Sequence, residues 1–189
     1  MRTLIVGAHL DDETFGMGGL LYDLCEQNAK DVMVLTFCHG RDQANSEARK
    51  AAAATIQSKL GFRHEILGYH DMELELELTK NLTRYIEDAI DGFKPHRVFT
   101  VSENDIHQDH KIISNATKIA CRPERTDIRE IFEFRIPGSE PYTSSHYDTI
   151  YKTKYMGHKT WMIGQYKTEN QPKPEYTEYF RTVYRKFIL

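Results

Sequence analysis

Two short polar segments of the chain hold the side chains best suited to chemistry. The first segment, residues 9–13, contains one imidazole and three carboxylates: His9, Asp11, Asp12 and Glu13. The second segment, residues 105–110, contains two of each: Asp105, His107, Asp109 and His110. Two imidazoles and one carboxylate, with positions left for water, are a common ligand set for catalytic zinc. Such a metal lowers the pKa of its bound water to ~7 and polarises a carbonyl oxygen, so the two segments together predict metal-assisted hydrolysis.

Each segment by itself also has an ordinary explanation. An Asp-Asp-Glu run after a strand is typical of a helix cap or a solvated turn. A His-x-Asp-His run at the start of a helix is likewise typical of a capping turn. Both segments follow predicted strands in one small chain, however, and that coincidence favours a site. There a spare carboxylate can take a proton from water, and a spare imidazole can stabilise or protonate what forms next.

The elements around these segments alternate between strand and helix. Apolar patterns predict strands at 4–6, 32–38, 64–67 and 98–101, and helices over 17–24, 46–60, 79–89 and 112–120. Four such alternations predict an α/β fold, a single Rossmann-like domain with a mostly parallel sheet and helices on both faces. Ligands bind beyond the carboxyl ends of the strands in such a sheet. Right-handed crossovers can bring both polar segments to the same edge.

Local signals predict where several of these helices begin and end. Asn45 or Ser46 is expected to cap the second helix, and Gly61 to end it. The third helix is expected to start near Thr79, while 72–78 alternates with period two and is left unassigned. The glycines at 16, 18 and 19 lack the spacing of a dinucleotide loop, so they predict close packing of the first helix.

The chain is expected to form one domain over residues 1–189, with a core at 1–122 and a less regular segment at 123–189. In that last segment we predict one strand at 131–136. A stretch rich in Pro, Gly, Ser and Tyr follows it. Two short helices are predicted between Gly157 and the end.

Composition excludes several classes of protein. The 189 residues carry a net charge of −3, whereas a general nucleic-acid-binding surface is normally basic. No apolar run approaches the ~20 residues that a membrane-spanning helix needs, and the N-terminus does not resemble a signal peptide. The three cysteines form no CxxC pair and are odd in number, which fits neither a disulfide framework nor a thiolate zinc site. We therefore expect a reducing, cytoplasmic setting.

The two polar segments resemble the motifs of a known family. Residues 7–13, Gly-Ala-His-Leu-Asp-Asp-Glu, look like the Ala-His-Pro-Asp-Asp-Glu motif of the LmbE-like, or PIG-L-type, zinc-dependent deacetylases. Residues 107–110, His-Gln-Asp-His, look like the second motif of that family, His-Pro-Asp-His. The resemblance covers roughly the first 120 residues. In the tail it is weaker, although Lys159 and Tyr166 stand where the family often has a lysine and then an aromatic residue.

Carried over residue by residue, the resemblance implies a role for each motif position. His9, Asp12 and His110 would hold the zinc, although another divalent transition metal is also compatible with such ligands. Asp11 would be the general base, and His107 would stabilise the oxyanion and protonate the departing amine, oriented by Asp109. The family also implies substrate binding by Arg49 and a sugar contact by Asp71. Glu13 has no implied role.

Three departures from the family pattern bear on the site. Leu10 and Gln108 replace the two motif prolines; neither side chain is a ligand, so the chemistry is retained while loop stiffness falls. Ala52 stands where the family usually has a glutamate near its arginine, which removes the usual partner of Arg49. The long C-terminal region of many members has no match here, so the resemblance predicts no far wall for the substrate pocket.

The sequence thus predicts a cytoplasmic, zinc-dependent hydrolase that removes an acetyl group from an N-acetylated amine. The expected substrate is a small N-acetylglucosaminyl-type sugar or sugar conjugate, with no general nucleic-acid binding and no membrane span, and a homo-oligomer is compatible with the sequence. One alternative is a metal-dependent phosphoesterase, which usually needs two metals and a bridging carboxylate. The other is a non-catalytic sugar-binding module, for which Asp11 and His107 would have no use.

Overall fold

A computed structural model describes residues 1–122, 127–139 and 147–185. Its strands are β1 Thr3–His9, β2 Val32–Cys38, β3 Arg63–Tyr69, β4 Arg97–Val101, β5 Glu130–Phe134, β6 Thr149–Lys152 and β7 Thr177–Arg185. Its α-helices are α1 Asp12–Asn28, α2 Gln43–Leu60, α3 Thr79–Phe93, α4 Gln108–Ala120 and α5 Met156–Ile163. The four predicted alternations of strand and helix are confirmed.

All seven strands form one sheet in the order β3-β2-β1-β4-β5-β7-β6. The five strands from β3 to β5 run parallel, whereas β7 is antiparallel to both of its neighbours. This mostly parallel sheet confirms the predicted fold class. Strand β2 lies on one side of β1, and β4 lies on the other side. The order therefore reverses at β1, which creates a crevice between the carboxyl ends of β1 and β4.

The central strands are apolar because they are covered on both faces. Every residue of β1 and of β2 is buried, which explains their continuous hydrophobic runs. Four of the five α-helices pack in two pairs, α1 with α5 and α3 with α4; both pairs contact the sheet, and α2 contacts α1. In the described part of the chain, no helix is long and apolar enough to cross a membrane.

Close approach of α1 to the sheet explains the glycines near its start. A Cβ atom on Gly16 would lie 2.4 Å from Cδ2 of Phe134 in β5. A Cβ atom on Gly19 would lie 2.3 Å from Oγ1 of Thr153, directly after β6. The prediction that these glycines serve helix packing is therefore confirmed. The helix is also kinked between them, since Met17 has non-helical backbone angles.

One local prediction is wrong, one unassigned stretch has a defined structure, and one prediction is confirmed. Asp42, rather than Asn45 or Ser46, caps α2, and its carboxylate accepts a hydrogen bond from the Asn45 amide at 2.9 Å. The unassigned stretch 72–78 contains a short 3₁₀ turn at Leu74–Leu76. Gly61 does end α2 in the left-handed conformation, with φ of 80°, as expected.

The C-terminal segment departs most from its prediction. Only one of the two short helices predicted after Gly157 is present in the described residues, as α5, and the remainder contains the long strand β7. A strand forms there because β5 and β6, distant in sequence, provide partners on both edges of β7. The predicted strand at 131–136 is confirmed as β5. Residues 140–146 of the Pro/Gly/Ser/Tyr-rich stretch lie outside the described residues.

Candidate active site

The two polar segments meet at the crevice where the strand order reverses. His9 is the last residue of β1, and the first segment continues directly into α1. The second segment connects β4 to α4, which begins at Gln108. Because β1 and β4 are neighbouring parallel strands, their carboxyl ends place the two segments side by side. The prediction that they share one edge of the sheet is confirmed.

Three potential metal ligands converge at the centre of this cluster. His9 Nδ1 lies 3.1 Å from His110 Nε2, and Asp12 Oδ1 lies 3.7 Å and 3.3 Å from these two nitrogens. Donor atoms bound tetrahedrally at 2.0–2.2 Å are about 3.3–3.6 Å apart, so the three atoms fit a single zinc ion. His107 is close as well, because nitrogens of His9, His107 and His110 lie within 4.8 Å of one another.

Asp12 divides its two carboxylate oxygens between the backbone and the cluster. Oδ2 accepts hydrogen bonds from the amides of Ala8 and His9, both at 2.8 Å. Oδ1 points to the two imidazoles. Burial raises the pKa of Asp12, but His110 and His9 outweigh burial and hold that pKa well below its usual range. The carboxylate is therefore ionised and held in place by the chain that precedes it.

Each of the two clustered imidazoles has a carboxylate behind it. His9 Nε2 lies 3.1 Å from Asp109 Oδ2, and His110 Nδ1 lies 2.8 Å from Asp105 Oδ2. Both carboxylates are buried. Such partners fix the tautomer and the ring orientation of metal-binding histidines. The ring nitrogens that remain are those directed at Asp12.

These contacts alter the expected role of Asp109. Its Oδ2 atom is 4.0 Å from His107 Nδ1, well beyond its distance to His9 Nε2. Only the backbone amide of Asp109 reaches His107, with a distance of 3.3 Å to Nδ1. The same Oδ2 atom accepts a hydrogen bond from the Met72 amide at 2.7 Å. The side chain therefore orients His9, and it also ties the loop after β3 to the site.

The charged neighbours shift the pKa of both clustered imidazoles upward. Burial lowers the pKa of His9, but hydrogen bonds to Asp109 and Asp12 outweigh it and raise the pKa to about 10. Burial also opposes protonation of His110, and Asp12 and Asp105 raise its pKa to about 9. The site thus attracts positive charge strongly, which suits a cation as much as protons.

His107 differs from the other two histidines in exposure and in charge. Its side chain is 33% exposed, whereas those of His9 and His110 are 7% and 5% exposed. Burial, together with His9 and His110, lowers the pKa of His107, so the ring is neutral near pH 7. Since its Nδ1 accepts from the Asp109 amide, the neutral ring carries its proton on Nε2. His107 therefore presents an N–H donor at the open side of the cluster.

Asp11 lies between the cluster and Arg49. Within the described part of the chain, its carboxylate does not cap α1. Oδ2 of Asp11 is 3.7 Å from Nη2 of Arg49. Burial raises the pKa of Asp11 to about 6, although Arg49 opposes the rise. A carboxylate with this pKa is mostly ionised at pH 7 and still takes up a proton readily.

Arg49 is held by carboxylates from two other parts of the chain. Its Nη1 donates to Asp71 Oδ2 at 2.9 Å, and its Nη2 to Glu169 Oε2 at 2.5 Å. The predicted pair Arg49 and Asp71 is thus brought beside Asp11, and the two residues bind each other. Glu169 thus provides Arg49 with a glutamate partner from a distant part of the chain.

The C-terminal segment also fixes the loop of the first motif. The hydroxyl of Tyr166 donates to the carbonyl oxygen of Leu10, and its ring packs edge-on against Phe15 at 5.8 Å. Both Tyr166 and Leu10 are buried. The loop that lacks the family's proline is therefore held by a buried apolar side chain and a hydrogen bond.

Sequence reasoning missed two residues of this arrangement. Asp105 belongs to the second segment, and its position two residues before His107 is the available signal, but the resemblance implies no role for it. Glu169 had no signal, because nothing local connects it with Arg49, 120 positions earlier.

The fold and the cluster define an α/β protein with a candidate metal centre at the reversal point of its sheet. The family model described as PIG-L, GlcNAc-PI de-N-acetylase, matches residues 4–121. The chain belongs to the PIG-L family, and it is a deacetylase of that family. The uncharacterized deacetylase YaiS of Escherichia coli (strain K12) is 31% identical over 130 residues, which cover 63% of this chain and 67% of that protein.

Solved structures share the fold at low sequence identity. A triple mutant of Orf2, a deacetylase of the teicoplanin biosynthetic pathway, superposes with a TM-score of 0.79 at 17% identity, over 98% of this chain and 99% of that one. The N,N'-diacetylchitobiose deacetylase of Pyrococcus horikoshii gives 0.71 at 17% identity, over 96% and 83%. GalB, the 4-carboxy-2-hydroxymuconate hydratase of Pseudomonas putida KT2440, gives 0.69 at 14% identity, over 100% and 99%. The fold alone therefore does not fix the reaction.

Proposed function

We propose that the protein is a zinc-dependent N-deacetylase that hydrolyses the acetamido group of an N-acetylglucosaminyl-type sugar or conjugate. The observation that carries the proposal is the convergence of His9 Nδ1, His110 Nε2 and Asp12 Oδ1 within 3.1–3.7 Å. These are the atoms that would hold the metal. When bound, zinc would polarise the amide carbonyl and lower the pKa of a bound water.

Asp11 is the proposed general base. It adjoins the ligand Asp12 in sequence, and it is buried and near Arg49 rather than engaged with the imidazoles. Its oxygen accepts the proton that the attacking water loses. A pKa of about 6 keeps the carboxylate available for that transfer at neutral pH.

His107 is proposed to act on the amide group of the substrate, at the carbonyl oxygen. Its Nε2–H donor lies at the open side of the cluster, where it can donate to the developing oxyanion. The proton that Asp11 takes from water is proposed to go to the departing amine, so that the neutral His107 ring keeps its own N–H. Asp109 and Asp105 do not touch the substrate in this scheme; they orient His9 and His110.

Two findings support the proposed substrate class. The matching family model names a GlcNAc substrate, and the Pyrococcus horikoshii enzyme with the same fold is named for diacetylchitobiose. A small acetylated sugar is therefore the proposed partner.

The three cysteines are buried and unpaired, which supports a reducing, cytoplasmic setting.

The direct test is acetate release from N-acetylglucosamine and N,N'-diacetylchitobiose. Activity is expected to disappear after treatment with a chelator and to return on addition of zinc. His110→Ala is expected to abolish both activity and stoichiometric zinc binding. Asp31→Asn, which alters an exposed carboxylate paired with the N-terminal amine, serves as the matched control. Full activity in His110→Ala or Asp11→Asn would refute the residue assignments.

The same preparations distinguish the two alternatives. A phosphoesterase would bind two metals per chain and hydrolyse a phosphate ester such as 4-nitrophenyl phosphate. A binding module would bind the sugar stoichiometrically and release no acetate. One zinc per chain together with acetate release would exclude both.

A further inference from the structure

Three carboxylates border the guanidinium of Arg49. They are those of Asp11, Asp71 and Glu169, and each lies within 4.0 Å of a terminal nitrogen of Arg49. The side chain of Arg49 is only 7% exposed. Its Nε atom is buried without a hydrogen-bond partner among the described residues. An arginine beside a catalytic centre would ordinarily bind an anionic group of the substrate, but here both ends of its fork already face carboxylates.

Of the three carboxylates around Arg49, that of Glu169 is also held by hydrogen bonds from residues other than Arg49. Its Oε1 atom accepts hydrogen bonds from Asn45 Nδ2 at 2.8 Å and from the Thr168 hydroxyl at 2.9 Å. Burial raises the pKa of Glu169, yet the bonds from Arg49 and Asn45 outweigh it and lower the pKa to about 2. The carboxylate is thus ionised at any physiological pH, and it stays on Arg49.

The charge around the fork is therefore negative. One guanidinium faces three carboxylates, those of Asp11, Asp71 and Glu169. A phosphate or carboxylate on the substrate would therefore have to compete with Glu169 and Asp71 for the donors of the fork.

We propose that Glu169 is a specificity-determining residue that closes Arg49 to anions and restricts this site to uncharged acetamido sugars. The inference rests on the proposed deacetylase function and adds the charge class of the substrate. Glu169 lies outside the residues that the family model matches, 4–121, so the restriction comes from the C-terminal segment of this chain.

The test compares three substrates with wild-type protein and Glu169→Gln. Methyl N-acetylglucosaminide is the uncharged substrate; N-acetylglucosamine 1-phosphate and 6-phosphate are the anionic ones. In the wild type, kcat/KM for each phosphate is expected to be at least about tenfold below that for the uncharged glycoside. Glu169→Gln is expected to reduce this difference by about fivefold or more, mainly through a lower KM for the phosphates. Inorganic phosphate should also inhibit hydrolysis of the uncharged substrate more strongly in this variant.

Glu175→Gln is the matched control. It also removes a carboxylate bound to an arginine in the C-terminal segment, since Glu175 lies 3.2 Å from Arg135, and it is expected to leave the substrate ratio unchanged. If thermal unfolding shows that Glu169→Gln is not folded at the assay temperature, Asp71→Asn removes the other carboxylate of the fork and carries the same comparison.

The outcomes separate the two proposals. Equal kcat/KM for charged and uncharged sugars in the wild type would overturn the specificity proposal alone. An unchanged ratio in the folded variant would do the same. Absence of acetate from all three sugars with zinc-loaded wild type would contradict the deacetylase function on which the proposal rests.

Discussion

The N-terminal part of the chain, residues 1–122, and the described C-terminal part, 127–139 and 147–185, contribute different things to one site. The first part provides all the proposed ligands and both proposed catalytic groups, at the ends of β1 and β4. The second part provides long-range contacts that hold them: Tyr166 on Leu10 and Glu169 on Arg49. Chemistry and its support are thus encoded in separate stretches, and substitutions in each should fail in different ways.

A buried ion pair shows the supporting role of the C-terminal part most clearly. Lys159 Nζ in α5 lies 2.7 Å from Glu178 Oε1 in β7, and both side chains are at most 1% exposed. The carboxylate of Glu178 also accepts hydrogen bonds from the amides of Gly19 and Leu20, at 2.6 Å and 2.9 Å. These amides follow the kink at Met17 in α1, so β7 satisfies backbone donors of the helix that the first motif opens.

Asp11→Asn should produce the largest effect on activity with little effect on folding. Loss of the general base is expected to lower kcat about 10²–10⁴-fold, because general-base catalysis is typically worth that much. Bound zinc and the melting temperature should stay close to those of the wild type. Steady-state acetate release, metal analysis and thermal unfolding provide the three measurements. A variant that loses zinc in parallel with activity would make Asp11 a ligand rather than a base.

Glu178→Gln should strongly lower the stability of the fold and have little effect on activity. It leaves the Lys159 ammonium buried without its carboxylate, and breaking a buried pair in this way typically costs about 3–5 kcal/mol of unfolding free energy. Molecules that remain folded should keep near wild-type kcat, since the pair does not touch the proposed reacting groups. Urea unfolding combined with assays at low temperature measures both quantities.

The double variant Lys159→Met/Glu178→Gln sharpens that test. It contains no unpaired buried charge, so it should be more stable than Glu178→Gln alone. If the double variant were the less stable of the two, the burial of an unpaired ammonium would not explain the loss.

Asp109→Asn should weaken metal binding while leaving the fold intact. Removal of a carboxylate that orients a metal-binding histidine typically costs about 10–100-fold in metal affinity, and here the histidine would be His9. Competition for zinc with a chromophoric chelator measures the change. Asp88→Asn, on the surface of α3, is the matched control and should leave zinc affinity unaltered.

His64 provides the smallest expected effect, which concerns stability and pH. Burial lowers the pKa of His64 to about 4, and its Nε2 lies 3.0 Å from Thr36 Oγ1. The folded-state pKa is below the unfolded value of about 6.5, so the neutral side chain stabilises fully above pH 6.5, and this contribution is lost as the pH falls toward 4. Between pH 7.5 and 5 the loss should be about 1–2 kcal/mol. His64→Gln should show a correspondingly flatter dependence in urea titrations; an identical slope would contradict the assignment.

The difference between the N-terminal and C-terminal parts also explains which features the sequence could predict. The strands and helices of 1–122 have strong local periodicity, and the two motifs lie at strand ends, so the sheet and its clustered residues were predictable. The cap of α2 was misplaced by a few residues because Asp42, Asn45 and Ser46 all suit a helix start. The sequence pairs Asp109 with the nearby His107, and the fold brings the carboxylate closer to His9 than to His107.

The C-terminal part resisted prediction for a physical reason. Strand β7 carries a local signal, since Thr, Tyr, Phe and Val are frequent in it, but its position in the sheet depends on pairing with β5 and β6. Glu169 and Tyr166 act through contacts that span more than a hundred residues, and no local spacing reports such contacts. Only the folded arrangement shows that Arg49 binds a glutamate from the C-terminal segment.

The position of β7 between β5 and β6 has a consequence for how the chain matures on the ribosome. Synthesis delivers β1 to β4 first, and these strands can pair while translation continues. The edge of β5 and the whole of β6 must wait for Thr177–Arg185 before they find their partner. Until then Lys159 has no carboxylate and the amides of Gly19 and Leu20 have no acceptor from β7. We therefore expect a nascent chain arrested before Thr177 to bind chaperones readily and to have little enzymatic activity.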